Sequence, residues 1–299
     1  MHRQAYLLLL LTTLFWGANA IAGKLAVGHV SPMLLTTFRW AMALAVMAAI
    51  GLPHLRRDWP VVRRHLLLLF ALGAVGFALF NATMYSALTY TSAINVSIEQ
   101  AGMPMVIFLA NFLLFSMRVS FAQIFGFVLS LVGIAVTASH GELARLAELD
   151  VNLGDALMIL ALLFYGGYTV ALRYRPQISW QSTMLVLSAS ALVTSLPFAV
   201  WEVAAGSAVW PDAQGWALAA FTAIFPSILS QSFYIRGVSL IGSNRAGLFI
   251  NLVPLFGTVL AIMFLGEAFY SYHAIAIVLV LGGIWIAEHS GRKMAGAGA

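Results

Sequence analysis

Apolar residues run through the chain in long blocks, and the polar positions inside those blocks recur at helical spacing. Counting blocks between Gly, Pro and charged interruptions predicts ten spans, at 5–27, 32–51, 66–88, 92–115, 119–138, 153–173, 181–201, 215–236, 243–265 and 269–289. Most approach the roughly 20 residues that a helix needs to cross a hydrocarbon core of about 30 Å. Within the spans the polar positions form stripes. The first span carries Trp16, Asn19 and Gly23, and the sixth carries Tyr165, Tyr168 and Thr169. The third has Phe77, Asn81 and Tyr85, the eighth Ser227, Ser230, Gln231 and Tyr234. The fourth has Asn95, Glu99 and Gly102, the ninth Asn244, Asn251 and Thr258. Polar side chains rarely face lipid, so these stripes predict faces turned toward an interior cavity.

A plainer reading exists for each stripe, since Ser, Thr and Asn also join helices through hydrogen bonds worth about 1 kcal/mol or less in a bilayer. That reading suits Gln123, Ser130 and Thr137 on the fifth span. Elsewhere aromatic rings stand beside amides in mid-span, away from the interfacial belt, and cavity lining accounts for them better. The fifth and tenth spans instead offer Gly126, Gly133, Gly282 and Gly283, which suit close helix packing or a homodimer face. Pro104 and Pro254 each remove a helical hydrogen bond and are candidate bending points for gates.

The second half of the chain resembles the first. At an offset of 149, Leu14–Gly17 (LFWG) meets Leu163–Gly166 (LFYG), Lys24 meets Arg173 and Tyr85 meets Tyr234. At an offset of 150, Pro104 meets Pro254 and Gly133 meets Gly283. Five spans per half is an odd number, so the second copy enters the membrane from the opposite side. The predicted fold is an all-α membrane protein of ten transmembrane helices in two inverted five-helix repeats around a central cavity. The halves are residues 1–138 and 153–299, joined by a periplasmic linker at 139–152. Inverted repeats exchange conformations and so give alternating access to a midplane site.

Charge sets the orientation. With the N-terminus inside, twelve of the fifteen Lys and Arg residues fall in cytoplasmic positions, leaving only Lys24, Arg39 and Arg145 on the other side. The opposite loops carry Glu142, Glu148, Asp150, Glu202, Asp212 and Glu267. Both termini are therefore expected in the cytoplasm. The net charge of +5 is scattered over short loops, which argues for topology and against a nucleic-acid partner.

Composition agrees with a membrane protein. Of 299 residues 62% are hydrophobic and 8% charged, against roughly 25% charged in soluble domains, and the mean hydropathy is +0.95. The apolar start at Met1 continues past signal-peptide length without a convincing cleavage site and reads as a retained first helix. There is no cysteine, hence no disulfide, thiolate metal site or cysteine nucleophile. Motifs for zinc hydrolysis, serine hydrolysis, nucleotide phosphate or diphosphate are missing as well. No catalytic residue, metal or cofactor is expected.

Three charges sit where charges are costly. Glu99 lies about 10 Å along its helix, and Lys24 and Arg39 fall at comparable depth. Two readings stay open: a structural ion pair of Glu99 with Lys24 or Arg39, or a substrate or protonation site at Glu99.

The stretch LFWGANAIAGKLAVGHVSPMLLTTFRWAMA, Leu14 to Ala43, resembles the W-G-x-N, S-P and F-R opening of EamA-type members of the drug/metabolite transporter superfamily. PLFGTVLAIMFLGEAF followed by LVLGGIWIA resembles the last two helices of that family. Within it the chain is most similar to YddG-type exporters of aromatic and other amino acids. The resemblance implies a basket-like bundle that moves small metabolites out across a bacterial inner membrane. The family's Gly-Glu after the ninth helix is present as Gly266 and Glu267, whereas its counterpart after the fourth is replaced by Ser116 and Met117.

These readings converge on a secondary transporter that exports amino acids, aromatic and other apolar ones first. Trp16, Tyr85, Tyr165 and Tyr168 would supply stacking surfaces. Asn19, Asn81, Gln231 and Asn251 would orient the amino and carboxylate groups, with Asn95 and Glu99 on the same lining. The alternatives are a multidrug, cation or nucleotide-metabolite carrier of the same fold, and a channel or receptor without alternating states.

Overall fold

The computed structural model describes residues 2–115, 121–142, 152–241 and 249–297, and among these the chain is all helical. The helices are α1 (His2–Leu25), α2 (Pro32–Val62), α3 (66–87), α4 (Ala93–Gln100 and Met103–Phe115), α5 (Phe121–Ala138) and α6 (Leu153–Ala171). They continue with α7 (Trp180–Ala204), α8 (213–241), α9 (whose described helix is Val253–Leu260, extended by Ala261–Leu265) and α10 (Ser271–Ala297). Six stretches are long and apolar enough by themselves to cross a membrane, and Phe121–Thr137, Val253–Leu265 and Ser271–Ile286 are shorter apolar helices. Large apolar side chains point outward along the bundle, among them Leu67, Phe121 and Val278, as a lipid-facing surface requires.

Connections alternate between two ends. An acidic end carries the 26–31, 88–92 and 205–212 segments, and a basic end carries Arg56, Arg57, Arg63, Arg64, Arg173 and Arg175. The arginine-rich connection after the second span is not a loop, as expected, but a continuation of α2 to Val62 with Pro53 and Pro60 inside it. It turns through Arg63–His65, where His65 leaves helical geometry, into α3.

The repeat is visible in backbone irregularities. A π stretch interrupts α3 at Ala74–Leu79, and another interrupts α8 at Ala223–Leu229, the same place at an offset of 149. The expected mid-helix kinks at the paired prolines are instead full breaks. α4 stops at Gln100 and restarts at Met103, and α9 restarts at Val253 after a turn at Asn251 and Leu252. Pro254 is therefore in the first turn of a new helix, where its missing N–H costs nothing. Pro104 holds the matching backbone position, and its side chain lies outside the described part.

Charged side chains hold the helix ends, and α2 and α7 do so reciprocally. Near the end of α7, Glu202 accepts hydrogen bonds from Ser31 Oγ (2.5 Å) and from the Leu34 (3.1 Å) and Met33 (3.4 Å) amides that open α2. On the far end of α2, Asp58 accepts from Ser179 N (2.9 Å), Ser179 Oγ (2.6 Å) and Ser182 Oγ (2.8 Å) at the start of α7. Each carboxylate satisfies orphan donors at a positive helix terminus. These bonds hold the Asp58 carboxyl well below its ordinary range. Gly266, with φ of 64°, ends α9 in the left-handed conformation that glycine adopts freely. Glu267 follows it and caps α4 through the Ala93 (2.8 Å) and Ile94 (2.9 Å) amides. Lys24 Nζ closes the other end of α3 by donating to the carbonyls of Leu88 (2.9 Å) and Thr91 (2.7 Å). At the acidic surface, Asp212 caps α8 through Gly215 N (2.8 Å) and meets His29 at 2.7 Å.

Helices α5 and α10 pack on each other along their length. A side chain added at Gly133 would overlap Val280, and one at Gly283 would overlap Ser130 and the Gly126 carbonyl. Ser130 itself donates to the Val280 carbonyl at 3.1 Å. Gly126, Gly133 and Gly283 are thus spent within the chain. The linker at 139–152 falls mostly outside the described residues, as do Arg118, Arg145, Glu148, Asp150 and Asn244.

Asp58 supplies a test of the reciprocal caps. Its depressed folded pKa means its stabilisation is complete above the ordinary carboxylate value of about 3.9 and fades only below it. Asp58→Asn should cost about 1–2 kcal/mol through lost charge-assisted bonds, as a lowered thermal midpoint in detergent. That deficit should persist unchanged from neutral pH down to about pH 4.

Candidate functional site

A cavity of about 280 Å³ lies between the two halves. Its size is at the small end of ligand pockets, which run from about 300 to 1,000 Å³. The wall draws on both repeats. α1 gives Trp16 and Asn19, α2 Arg39 and Trp40, and α3 Gly76, Phe77, Phe80 and Asn81. From the broken helices come Gln100, Ala101 and Met103 on one side and Ile250, Asn251, Val253 and Pro254 on the other. α6 adds Tyr165, Tyr168 and Thr169, and α8 adds Pro226, Ser227, Gln231 and Tyr234.

The π stretches shape this wall. Gly76 and Phe77 lie in the one of α3, Pro226 and Ser227 in the one of α8. A widened turn frees backbone carbonyls, and the Pro226 carbonyl accepts the Trp16 indole N–H at 3.2 Å. Tyr168 lies directly on Gly76, so a Cβ there would overlap its ring. Trp40 and Phe77 stack with centroids 4.7 Å apart and planes 9° from parallel. Tyr165 meets both Phe80 (4.9 Å) and Tyr168 (5.3 Å), and Trp16 meets Tyr234 at 5.5 Å.

At the centre is Arg39, only 4% exposed. Its Nε donates to Ser227 Oγ at 2.9 Å. Its Nη1 donates to Asn19 Oδ1 (2.9 Å), Asn81 Oδ1 (2.8 Å) and the Tyr85 hydroxyl. The guanidinium carbon sits 5.1 Å from the Trp40 ring centroid and 5.8 Å from that of Tyr85. Every one of these partners is neutral. The other terminal nitrogen, Nη2, bonds none of the described residues, in a side chain that borders the cavity. A desolvated cation with no counter-charge among the described residues attracts negative charge.

The expected ion pair does not form. Arg39 is engaged with amides and hydroxyls, and Lys24 with the carbonyls that end α3. Glu99 is fully buried and neither of its oxygens has a hydrogen-bond partner among the described residues. Of the sequence-predicted lining residues, Trp16, Asn19, Asn81, Tyr165, Tyr168, Gln231 and Asn251 border the cavity. Tyr85, Asn95 and Glu99 do not. Tyr85, 1% exposed, stands behind the wall and holds Asn19 (2.9 Å) and Arg39. The Asn95, Glu99, Gly102 stripe faces away, toward α5, α6 and α10. Asn95 meets His273 of α10, Asp155 of α6 acts on Glu99, and Gly102 touches Ile134 of α5. Because α4 breaks after Gln100, it is Gln100 and Ala101 that reach the cavity. Sequence reasoning also missed Trp40, Phe80 and Pro226 as wall residues. The F-R-W run could have pointed to Trp40, since Arg39 already marked that turn as interior.

Ten helices in two inverted halves around a central, aromatic-walled cavity define a multi-pass membrane transporter. The comparisons make the class specific. The sequence model of the EamA-like transporter family matches twice, at residues 3–139 and 152–287, and the chain belongs to that family. It is 25% identical over 296 residues to the uncharacterized transporter YyaM of Bacillus subtilis (strain 168), across 96% of this chain and 94% of the relative. It is 23% identical over 284 residues to the uncharacterized transporter YetK of the same strain, across 94% and 86%. An uncharacterized transporter of Archaeoglobus fulgidus shares 25% over 296 residues. A protein of known crystal structure has the same fold, with a TM-score of 0.64, 23% identity and 98% and 99% of the two chains covered.

The Gly76 and Tyr168 contact is testable. Gly76→Ala overfills the site and should cost about 1–3 kcal/mol, seen as a lowered thermal midpoint. Adding Tyr168→Ala, which removes the ring the methyl would strike, should make the pair markedly less than additive.

Proposed function

We propose that this transporter moves small carboxylate-bearing metabolites, with aromatic and other apolar amino acids first, out across a bacterial inner membrane by alternating access. The observation that carries this reading is Arg39, a buried cation with neutral partners at the cavity wall. A substrate carboxylate bonded to Nη2 would supply the missing counter-charge through a charge-assisted bond. The rings of Trp16, Trp40, Tyr165 and Tyr168 offer stacking and cation–π surfaces to the rest of the molecule. The amide oxygens of Gln231 and Asn251 can accept from an ammonium group. With the acidic end outermost and both termini cytoplasmic, the distribution of Lys and Arg follows the usual bias.

The same observation weighs against the other carriers. A cationic drug would meet the fixed charge of Arg39 with no acid in the wall to offset it. A nucleotide carries several negative charges and would find one guanidinium. A second reading has support of its own. No carboxylate borders the cavity, which favours apolar monocarboxylates without an amino group.

Uptake into proteoliposomes separates these readings, using labelled phenylalanine, a panel of other amino acids, 3-phenylpropanoate and a flat aromatic cation. Saturable phenylalanine uptake is expected, and no uptake of any amino acid would overturn the amino-acid assignment in favour of the monocarboxylate if only the latter enters. Arg39→Met should weaken phenylalanine transport at least about thirtyfold, the scale of removing one partner of a desolvated charge pair. Arg39→Lys should fall between, since an ammonium keeps the charge but not the forked geometry.

A further inference from the structure

Apart from exposed arginines such as Arg56, Arg57 and Arg236, the charged residues of the described part include two groups. Asp58, Glu202, Glu267, Asp212 and Lys24 satisfy helix ends. Three lie inside the bundle: Arg39 at the cavity, and Glu99 and Asp155 behind it. The carboxyls of the last two are the ones no cap or cation explains. Both residues are 0% exposed, and among the described residues neither Glu99 oxygen nor Asp155 Oδ2 has a hydrogen-bond partner.

We propose that Glu99 and Asp155 together form a proton-binding site, separate from the substrate cavity, that couples transport to proton movement. It rests on the reading of the cavity as a substrate site but not on which substrate fills it.

An ionised carboxylate without partners in a dry interior is strongly penalised, and two close together are penalised further. Asp155 lies near enough to act electrostatically on Glu99. The groups facing the pair do not neutralise it. Lys24, from α1, is tied to the α3 carbonyls and sits nearer Glu267. From α10, His273 contacts Asn95, and the Tyr272 ring lies against it at a tilt of 57°. His140, after α5, acts on Asp155 from the acidic end. The 253–260 helix of α9 carries no ionisable residue. Among the described residues no group of three or more His, Asp or Glu is placed to hold a metal ion. A proton needs a single oxygen.

Geometry links this site to both the outside and the cavity. A chain of contacts runs from His273 to Asn95 (3.2 Å), on to Thr91 (3.2 Å) and to Asp155 Oδ1 (2.6 Å), starting beside the exposed Tyr270 at the acidic end. It anchors Asp155 and marks where water enters when that end opens. Glu99 ends the first half of α4, and its carbonyl accepts the Gly102 amide (2.8 Å) across the break. The next two residues, Gln100 and Ala101, are cavity wall. Any rearrangement of the break moves both sites together. Proton binding forms one O–H bond on a carboxylate oxygen, with the proton taken from water at the acidic end, and release returns it to water.

Two measurements on the full chain test this. The first needs no substrate: infrared spectroscopy of the detergent-solubilised protein in mildly alkaline buffer should show the carbonyl band of a buried protonated acid, lost in Glu99→Gln. No such band in the wild type, or an equal band in both, would overturn the proposal. The second uses labelled phenylalanine, or 3-phenylpropanoate if only that is carried, in proteoliposomes. An opposing proton gradient should speed wild-type transport about fivefold or more. Glu99→Gln and Asp155→Asn should retain counterflow but lose that response. A gradient response preserved in both folded variants, or one produced by sodium in place of protons, would contradict it. Failure of the substrate assignment alone would leave the infrared result standing.

Discussion

A guanidinium taken out of water must find either an opposite charge or a complete set of oriented dipoles. Arg39 has the dipoles at Nε and Nη1, and Nη2 bonds none of the described residues. Asn19, Asn81, Tyr85 and Ser227 come from three other helices to surround it, two of them in the first repeat's α3 and one in the second repeat's α8. That convergence fixes the approach of α1, α2, α3 and α8, and with it the position of the cavity. It also leaves the net positive charge in place, because neutral oxygens orient around a cation without cancelling it. The bundle is therefore stabilised around a site that still favours an anion.

Elsewhere the chain avoids this expense by placing charges where the helices need them. Asp58 and Glu202 are related by the repeat's symmetry and cap each other's helices at opposite ends of the bundle. Such contacts tie α2 to α7 at both ends of the bundle. The discontinuities that face the cavity lie elsewhere, in the broken helices. α4 and α9 are interrupted at equivalent points, and both breaks border the cavity. Close backbone approach holds them to the frame, since Gly257 of α9 touches both Ser97 of α4 and Gly17 of α1. Cavity and breaks share one wall, the arrangement that the proposed alternating access to a midplane site would use.

Much of this was legible in the sequence, for reasons that can be assigned to particular residues. Helix length and apolar runs revealed the ten helices, whereas the matching π stretches, which fall at equivalent places at the offset of 149, left no signal in propensity. Asn19, Asn81, Tyr165, Tyr168 and Gln231 stand on stripes whose phase survives in the structure because their helices run through the site. The Asn95 and Glu99 stripe misled. A break at 101–102 removes the helical continuity on which the phase argument depends, and leaves Gln100 rather than Glu99 on the wall. One of the two open readings paired Glu99 with Lys24 or Arg39, and that pair does not form among the described residues. Opposite charges at similar depth suggest attraction, while the neutral cage that separates them is assembled from residues 20 to 188 positions distant.

The central claim is that Arg39 holds the substrate's anionic group. The most direct measurement is a structure of the protein with phenylalanine bound. The account predicts the carboxylate about 3 Å from Arg39 Nη2, with the ring against Trp16, Tyr165 or Tyr168. Phenylalanine bound in this cavity with its carboxylate turned away from Arg39, or bound at a different place in the bundle, would contradict it.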